Sequence, residues 1–251
     1  MVYAGAGGSL RALEGIELAV RRGEFVSIIG PSGCGKSTLL RLVGGLLEPT
    51  AGRVLIDGRP PRRAQREKQI GFVFQDPSLL PWRNVIENVR LPLQLSRRGN
   101  GGAPAPDPGA LVDLVGLREF SRYYPHQLSG GMQQRVALAR CLVTAPSLLL
   151  MDEPFGALDE ITRSAMRYEL LRLWGSEAAG GGCTALFVTH SVTEAVLLSD
   201  RVAVLTPRPG RVAAVLDVDL PRPRSETMEL EPDFLDHVRR LRGLLRERAP
   251  V

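Results

Sequence analysis

One stretch of the chain has the residue types and the spacing of a phosphate-binding loop. Its glycines leave room for backbone N–H groups to converge on an anion, its lysine adds a point charge, and its serine offers an oxygen to Mg²⁺. An apolar run at residues 24–29 precedes it and a helical pattern follows it, which is the context that the P-loop pattern requires. The spacing therefore predicts a nucleotide site formed by Gly30, Pro31, Ser32, Gly33, Cys34, Gly35, Lys36, Ser37 and Thr38.

Two adjacent carboxylates follow a second apolar run, residues 148–151. Successive residues of a strand point to opposite faces of the sheet, so Asp152 and Glu153 are expected to act differently. Asp152 suits a contact with Mg²⁺, direct or through water, and Glu153 suits orienting and deprotonating an attacking water. The alternative is a solvated strand end without chemistry, and the P-loop upstream favours the functional interpretation.

A third group of candidates lies at the start of a helical pattern. Ser129 is a good N-cap, and Gly130 and Gly131 leave space for an anion beside the first N–H groups of that helix. Taken alone, the stretch is equally compatible with an ordinary capped helix, because the apolar residues that follow it have helical spacing.

His190 directly follows the apolar run at residues 184–189. Ser191 and Glu194 then have the spacing of a capping box that begins the next helix. This order predicts that His190 lies at the carboxyl edge of the sheet, where ligands bind in open α/β folds. A lone histidine is more often structural, but the edge position favours a functional one.

The elements that must position these residues alternate between strands and helices, which indicates an α/β fold with a largely parallel, doubly wound sheet. Residues 1–9 are rich in glycine and expected to be mobile, and residues 82–145 predict an inserted helical subdomain. A final amphipathic helix, residues 232–248, packs on its own domain or, alternatively, meets a membrane surface or a second copy. Strands are predicted at residues 10–20, 24–30, 53–58, 70–75, 147–151, 183–189, 201–206 and 211–218.

Length and composition fit one large domain in a reducing compartment. The 251 residues can bury a full core, and the three cysteines are odd in number and widely separated, which argues against a disulfide framework. No apolar run approaches the roughly 18 residues of a membrane span, so any membrane link is expected to go through a partner. The formal charge of +5 comes from dispersed arginines without aromatic residues between them, which disfavours a nucleic-acid partner.

Together with the P-loop, residues 128–133 make the chain resemble the ATP-binding cassette (ABC) ATPases over nearly its whole length. The resemblance implies one nucleotide-binding domain over residues 1–251, with a P-loop NTPase sheet of ABC type, antiparallel β strands and the inserted helical subdomain. It also implies ATP and Mg²⁺ as ligands and a head-to-tail homodimer with two ATP sites. In such a dimer Ser129, Gly130 and Gly131 of one subunit close over the γ-phosphate held by the P-loop of the other.

The same resemblance implies roles for residues outside the motifs above. Gln75 matches the glutamine that touches the Mg²⁺ and γ-phosphate region and couples it to the membrane partner, and His190 matches the histidine that contacts the γ-phosphate. The loop Ala157, Leu158 and Asp159 matches the one that crosses the dimer interface. Tyr3 is the nearest candidate for the aromatic ring that stacks on adenine, and an unstructured tyrosine is the alternative.

Residues 74–82 and 207–211 resemble those of the cassette ATPases that serve bacterial importers of nitrate, sulfonates and taurine. The implied function is ATP hydrolysis at the cytoplasmic face of the cell membrane, powering uptake of a small solute. The implied partners are an integral membrane permease and an extracytoplasmic solute-binding protein, with no nucleic acid.

Three other interpretations remain at this point. A cassette ATPase acting on nucleic acid or ribosomes usually carries a second cassette or a long coiled-coil insertion, and the sequence has neither. A P-loop kinase or GTPase does not need residues 128–133. A noncatalytic cassette is disfavoured because Lys36, Asp152, Glu153 and His190 are all present.

Overall fold

The computed structural model describes residues 1–5, 8–95, 106–156, 158–175 and 183–246. These residues divide into two compact units, the first formed by Met1–Ala64 with Thr184–Val251 and the second by Gln65–Cys183. In chain order the strands and α-helices are β1 (Val2–Gly5), β2 (Gly8–Arg11), β3 (Phe25–Ile29), α1 (Lys36–Val43), α2 (Pro61–Arg66), β4 (Ile70–Val73), α3 (Val85–Gln94), α4 (Pro108–Leu114), α5 (Gly130–Leu142), β5 (Leu148–Asp152), α6 (Glu160–Trp174), β6 (Thr184–Thr189), α7 (Val192–Leu198), β7 (Arg201–Leu205), β8 (Val212–Asp217) and α8 (Pro232–Arg246). Short 3₁₀ turns lie at Arg118–Phe120, Pro125–Gln127 and Glu226–Leu230.

The first unit is built around strand β3, whose five residues are all buried. β3 pairs in parallel with β6 on one side and with β7 on the other, and β7 pairs with β8 in the antiparallel sense. A strand without alternation of polar and apolar residues is typical of a central parallel strand that is covered on both faces. The predicted α/β fold, with antiparallel strands beside a parallel core, is confirmed.

The second unit combines a parallel strand pair with a group of helices. β4 and β5 are aligned so that Val73 lies opposite Met151. Helices α3, α4 and α5 pack against one another, and α5 also contacts β4 and α6. The predicted change from strands to helices after residue 82 is therefore present in this unit.

Three details of the first unit differ from the sequence prediction. Residues 2–5 and 8–11 are not mobile but form an antiparallel pair, with Val2 opposite Arg11. The strand predicted over residues 10–20 ends at Arg11, because the N–H groups of Ala12 and Leu13 donate to the Met1 carbonyl instead. The strand predicted over residues 53–58 is reduced to an isolated bridge between Ile56 and Arg59.

The last helix, α8, packs on its own unit. Phe234, Val238 and Leu241 are buried, and the helix contacts α7. The simpler of the two predictions for this amphipathic segment is thus confirmed. Among the residues that the structure describes, no helix has both the length and the apolar character needed to cross a membrane.

Candidate functional site

The P-loop joins the end of β3 to the start of α1, as the sequence predicts. Gly35 is the N-cap residue of α1 and has a left-handed backbone (φ 107°), and it makes no side-chain hydrogen bond to the helix. This φ disfavours any residue with a side chain, and a Cβ at this position would also lie 3.1 Å from the Ala12 carbonyl oxygen. The first N–H groups of α1 therefore have no side-chain cap from Gly35, and such groups together with the helix dipole favour an anion.

The side chain of Lys36 lies against the first residues of the loop. Its ammonium donates hydrogen bonds to the carbonyl oxygens of Gly30 (2.9 Å) and Pro31 (3.2 Å), and the residue is buried. Burial raises the pKa of the neighbouring Cys34 thiol, so a thiolate does not offset the positive charge of Lys36 at neutral pH. The loop consequently presents a positive, glycine-lined surface suited to a polyphosphate.

Tyr3 lies close to the first turn of α1. Its hydroxyl is 3.1 Å from the Thr38 hydroxyl, and the residue belongs to the β1–β2 pair. The structure thus brings Tyr3 to the helix that follows the P-loop, and the alternative of an unstructured tyrosine is wrong.

His190 and the P-loop leave neighbouring strands at the same edge of the first unit. β3 and β6 are parallel neighbours with Ile29 opposite Thr189, so Gly30 and His190 are the next residues on the two strands. His190 is exposed, and Ser191 after it caps α7 by accepting a hydrogen bond from the Glu194 N–H (3.3 Å). The predicted position of His190 at the carboxyl edge is confirmed.

The second unit contains a matching edge. Val73 lies opposite Met151, and Gln75 and Glu153 each lie two residues beyond this pair in the chain. A tight turn closes behind them, in which the Gly156 N–H donates to the Glu153 carbonyl at 3.0 Å. A Cβ built on Gly156 would lie 3.7 Å from the Gln75 side-chain nitrogen and 3.8 Å from the Glu153 Cβ. The structure therefore brings Gln75 and Glu153 to the two sides of this turn.

The two carboxylates predicted from the sequence differ in their surroundings. Asp152 is the last residue of β5 and is buried, whereas Glu153 is half-buried. Glu153 has a positive φ of 45°, a conformation that a residue with a side chain rarely adopts. Such backbone strain is concentrated at functional sites. The expectation that the two residues have different tasks fits this difference.

Ser129 and Asp159 cap two helices that begin close together. The Ser129 hydroxyl accepts a hydrogen bond from the Met132 N–H (3.3 Å), and the Asp159 carboxylate accepts one from the Thr162 N–H (3.0 Å). A Cβ on Gly131 would lie 2.6 Å from the Thr162 methyl group, so the two helix starts touch at this glycine. The hydrogen bond from Thr162 lowers the pKa of Asp159. Ala157, which the sequence places in the same loop as Asp159, lies outside the described residues.

One residue of this region was not a site candidate from the sequence. Arg208 lies in the turn between β7 and β8, and its guanidinium donates two hydrogen bonds to the Gly33 carbonyl, from Nε at 3.1 Å and from Nη2 at 3.0 Å. The only local signal was an arginine between two prolines at the end of a strand. That signal identifies a turn but not what the turn contacts.

A P-loop between a parallel strand and a helix, with a carboxylate pair ending another parallel strand, defines a P-loop nucleotide hydrolase. The chain belongs to the ABC transporter family, whose model matches residues 13–156. ATP-binding proteins of this family are ATPases, and the chain is an enzyme of that kind.

Several relatives are similar over most of this chain. An uncharacterized ABC transporter ATP-binding protein of Methanocaldococcus jannaschii is 45% identical, covering 96% of this chain and 86% of its own. The taurine import ATP-binding protein TauB of Burkholderia pseudomallei is 44% identical, and the match covers 100% of this chain and 96% of that protein. The nitrate import ATP-binding protein NrtC of Synechococcus elongatus is 45% identical over 92% of this chain, which spans 34% of that longer protein.

A solved structure is similar as well. The ATP-binding cassette MJ0796, in a dimeric post-hydrolysis state bound to ADP and Pi, is 34% identical and superimposes with a TM-score of 0.74, covering 88% of this chain and 96% of that one.

Proposed function

We propose that this chain hydrolyses ATP as one half of a homodimer and thereby powers the uptake of a small solute through an integral membrane permease. The observation that carries the proposal is the start of α1, where Gly35 provides no side-chain cap and the Lys36 ammonium lies against the loop carbonyls. Such a helix start is built for a polyphosphate. Residues 1–251 act in this proposal as one nucleotide-binding domain, with α3, α4 and α5 in its helical subdomain.

ATP would be bound by the loop from Gly30 to Thr38, with its phosphates against the N–H groups and the Lys36 ammonium. The hydrogen-bond distance between Tyr3 and Thr38 supports the proposal that the Tyr3 ring stacks on adenine, because the ring lies beside the helix that follows the loop. A glycine loop and a single lysine select for phosphate, so base recognition must come from a neighbouring group such as this ring.

Mg²⁺ would be held by Ser37, Gln75 and Asp152, as the resemblance to the ABC ATPases implies. Ser37, Gln75 and Asp152 offer only oxygen donors to a cation, and Mg²⁺ is a hard cation that prefers oxygen and is commonly held by one or two side chains together with phosphates. When bound, Mg²⁺ neutralises charge on the phosphates. Asp152 ends β5 and is buried, and carboxylates are among the oxygen ligands that Mg²⁺ prefers.

Hydrolysis would depend on side chains of the second unit. Glu153 would orient the attacking water and accept its proton, and Gln75 on the other side of the Gly156 turn would hold the same water or the Mg²⁺ region. His190 would contact the γ-phosphate. Ser129, Gly130 and Gly131 of a second copy would close over that phosphate, and Asp159 would lie at the interface between the copies.

The class of solute follows from the relatives. Names of similar proteins include nitrate, aliphatic sulfonate and taurine import ATP-binding proteins, so we infer import of a small solute of the nitrate, sulfonate or taurine type. The chain would sit at the cytoplasmic face of the membrane, attached to the permease, and an extracytoplasmic solute-binding protein would deliver the solute.

Two measurements test the proposal. The full chain is purified from membranes with its permease, and ATPase activity is measured with and without nitrate, a sulfonate or taurine in the presence of the solute-binding protein. We expect stimulation by one of these solutes, and failure to recover an integral membrane protein would contradict the transport role. Independently, the activity of the isolated chain per molecule should fall on dilution, since each site needs two copies. Activity per molecule that is constant down to concentrations where only single copies remain would contradict the dimer.

A further inference from the structure

We infer that Arg208 is a positioning residue for the P-loop and that it raises the affinity of the site for nucleoside triphosphates and diphosphates. The inference rests on the proposed function, because it concerns the same phosphate site. It begins with the paired hydrogen bonds from the Arg208 guanidinium to the Gly33 carbonyl, at 3.1 and 3.0 Å. Two donors on one carbonyl fix the direction in which that peptide group points.

The orientation of this peptide is passed on to the rest of the loop. In a trans peptide the carbonyl and the following N–H point in opposite directions, so holding the Gly33 carbonyl outward turns the Cys34 N–H across the loop. There the Cys34 N–H donates to the Pro31 carbonyl at 3.3 Å. The Lys36 ammonium donates to the same carbonyl at 3.2 Å. One chain of polar contacts thus runs from Arg208 through two peptide groups to the lysine of the site.

The loop that carries Arg208 is itself held in place against the P-loop. The Gly210 N–H donates to the Ala12 carbonyl (2.9 Å), and a Cβ on Gly210 would lie 2.2 Å from the Cys34 carbonyl oxygen. The Thr206 hydroxyl lies 3.0 Å from the Pro207 carbonyl and 3.2 Å from the Pro209 carbonyl. These contacts fix the turn that carries Arg208. The hydrogen bonds from Arg208 to Gly33 therefore serve to hold the P-loop rather than the turn itself.

Gly33 needs such an external support. Its backbone is left-handed (φ 73°), and the residue is exposed, as is Arg208. Glycine is free to leave this conformation at little steric cost, so the sequence alone does not hold the loop in the form that binds phosphate. A loop that is already ordered loses less conformational entropy when the nucleotide binds.

The experiment compares the wild-type chain with Arg208→Ala, Arg208→Lys and a control, Arg211→Ala. Arg211 lies on the same turn, but its guanidinium is paired with Glu14 (2.6 Å) and is not placed against the P-loop by any described contact. Affinities for ATP and ADP are measured with fluorescent nucleotide analogues. We expect Arg208→Ala to weaken binding about tenfold, Arg208→Lys to weaken it roughly threefold, and Arg211→Ala to stay within about twofold, as for loss of a charged hydrogen bond.

Two further readouts separate positioning from general damage. The turnover number at saturating ATP should remain within about twofold of wild type in Arg208→Ala while KM rises, because the reacting groups are elsewhere. In the protein without nucleotide, amide exchange of the P-loop peptide should accelerate roughly tenfold in Arg208→Ala but not in Arg211→Ala.

Equal affinity and equal exchange in Arg208→Ala and wild type would overturn the inference, and so would equal losses in both arginine variants. Nucleotide affinity and amide exchange need neither dimer nor permease, so a failure of the transport proposal would leave these two readouts unchanged and the two failures can be told apart.

Discussion

Helix α1 follows a glycine and helix α5 begins with one, but the first turns of the two helices are built differently. At α1 the residue before the helix is Gly35, which offers no side-chain cap, so the N–H groups there are suited to a ligand. At α5 the Ser129 hydroxyl accepts a hydrogen bond from Met132, so the protein already satisfies part of that helix start. The difference fits the proposal that α1 binds phosphate through its own first turn, whereas the capped start of α5 approaches a phosphate that another copy holds.

The same contrast extends to the two units. We propose that the first unit binds the phosphates through the P-loop backbone and the Lys36 ammonium, whereas the second unit supplies Glu153 and Gln75, on the two sides of the Gly156 turn, for hydrolysis. Changes in the first unit should therefore alter affinity, and changes in the second unit should alter turnover. Four substitutions test this division, from the largest expected effect to the smallest.

Glu153→Gln should keep ATP affinity and lower hydrolysis by roughly two to four orders of magnitude, because glutamine keeps the shape but cannot accept the proton of the attacking water. Steady-state phosphate release and nucleotide binding are measured on the same preparation. Glu119→Gln, an exposed glutamate of the same unit, serves as the control and should be unchanged. Near-normal turnover of Glu153→Gln would remove Glu153 from the role of base.

Lys36→Ala should weaken ATP binding by about a hundredfold, since it removes the charge that lies against the loop carbonyls and faces the phosphates. Calorimetric titration with ATP gives the affinity directly. Lys68→Ala, at an exposed lysine outside the loop, is the matched control. If Lys36→Ala binds ATP as tightly as wild type, Lys36 does not contact the phosphates as proposed.

Ser129→Asp should leave thermal stability close to that of wild type, because aspartate is also a good N-cap, while lowering ATP hydrolysis at least about tenfold. The reason is that a carboxylate at this helix start would repel the γ-phosphate of the opposite copy. The comparison variant is Ser129→Gly, which removes the hydroxyl without adding bulk or charge at the start of α5. Normal hydrolysis by Ser129→Asp would mean that α5 does not approach phosphate.

Asp159→Ala should lower the melting temperature modestly at pH 7 without a direct effect on ATP affinity, because it removes the cap of α6. The pKa of Asp159 is lower in the folded protein than in the unfolded chain, so the stabilisation is complete above about pH 4 and is lost as the pH falls through the folded value. The difference in melting temperature between wild type and Asp159→Ala should therefore shrink as the pH is lowered below about 4. A difference that stays constant as the solution is acidified would contradict the charged cap.

The sequence predicted those parts of the site that are formed by residues close together in the chain. The strand, glycine loop and helix around Lys36 form one local unit, and the order of strand end and polar residue was enough to place His190 and Glu153 at sheet edges. Spacing along the chain determines these features without any knowledge of distant partners.

The rest depended on contacts between residues far apart in the chain. Residues 1–9 were expected to be mobile because their glycines have no fixed preference, yet residues 2–5 pair with residues 8–11 as two antiparallel strands. The strand over residues 53–58 lacked a partner along its length and is only a bridge at Ile56. Arg208 could not be recognised because Gly33, which it contacts, is 175 positions away.

The left-handed backbone of Glu153 implies a trade-off between thermal stability and enzymatic activity. Glycine would occupy this conformation without the steric penalty of roughly 1–2 kcal/mol that a Cβ incurs there. Glu153→Gly should therefore raise the melting temperature and, by the role proposed for the carboxylate, lower ATP turnover. That proposed role accounts for an acidic residue at a position where glycine would be the more stable choice.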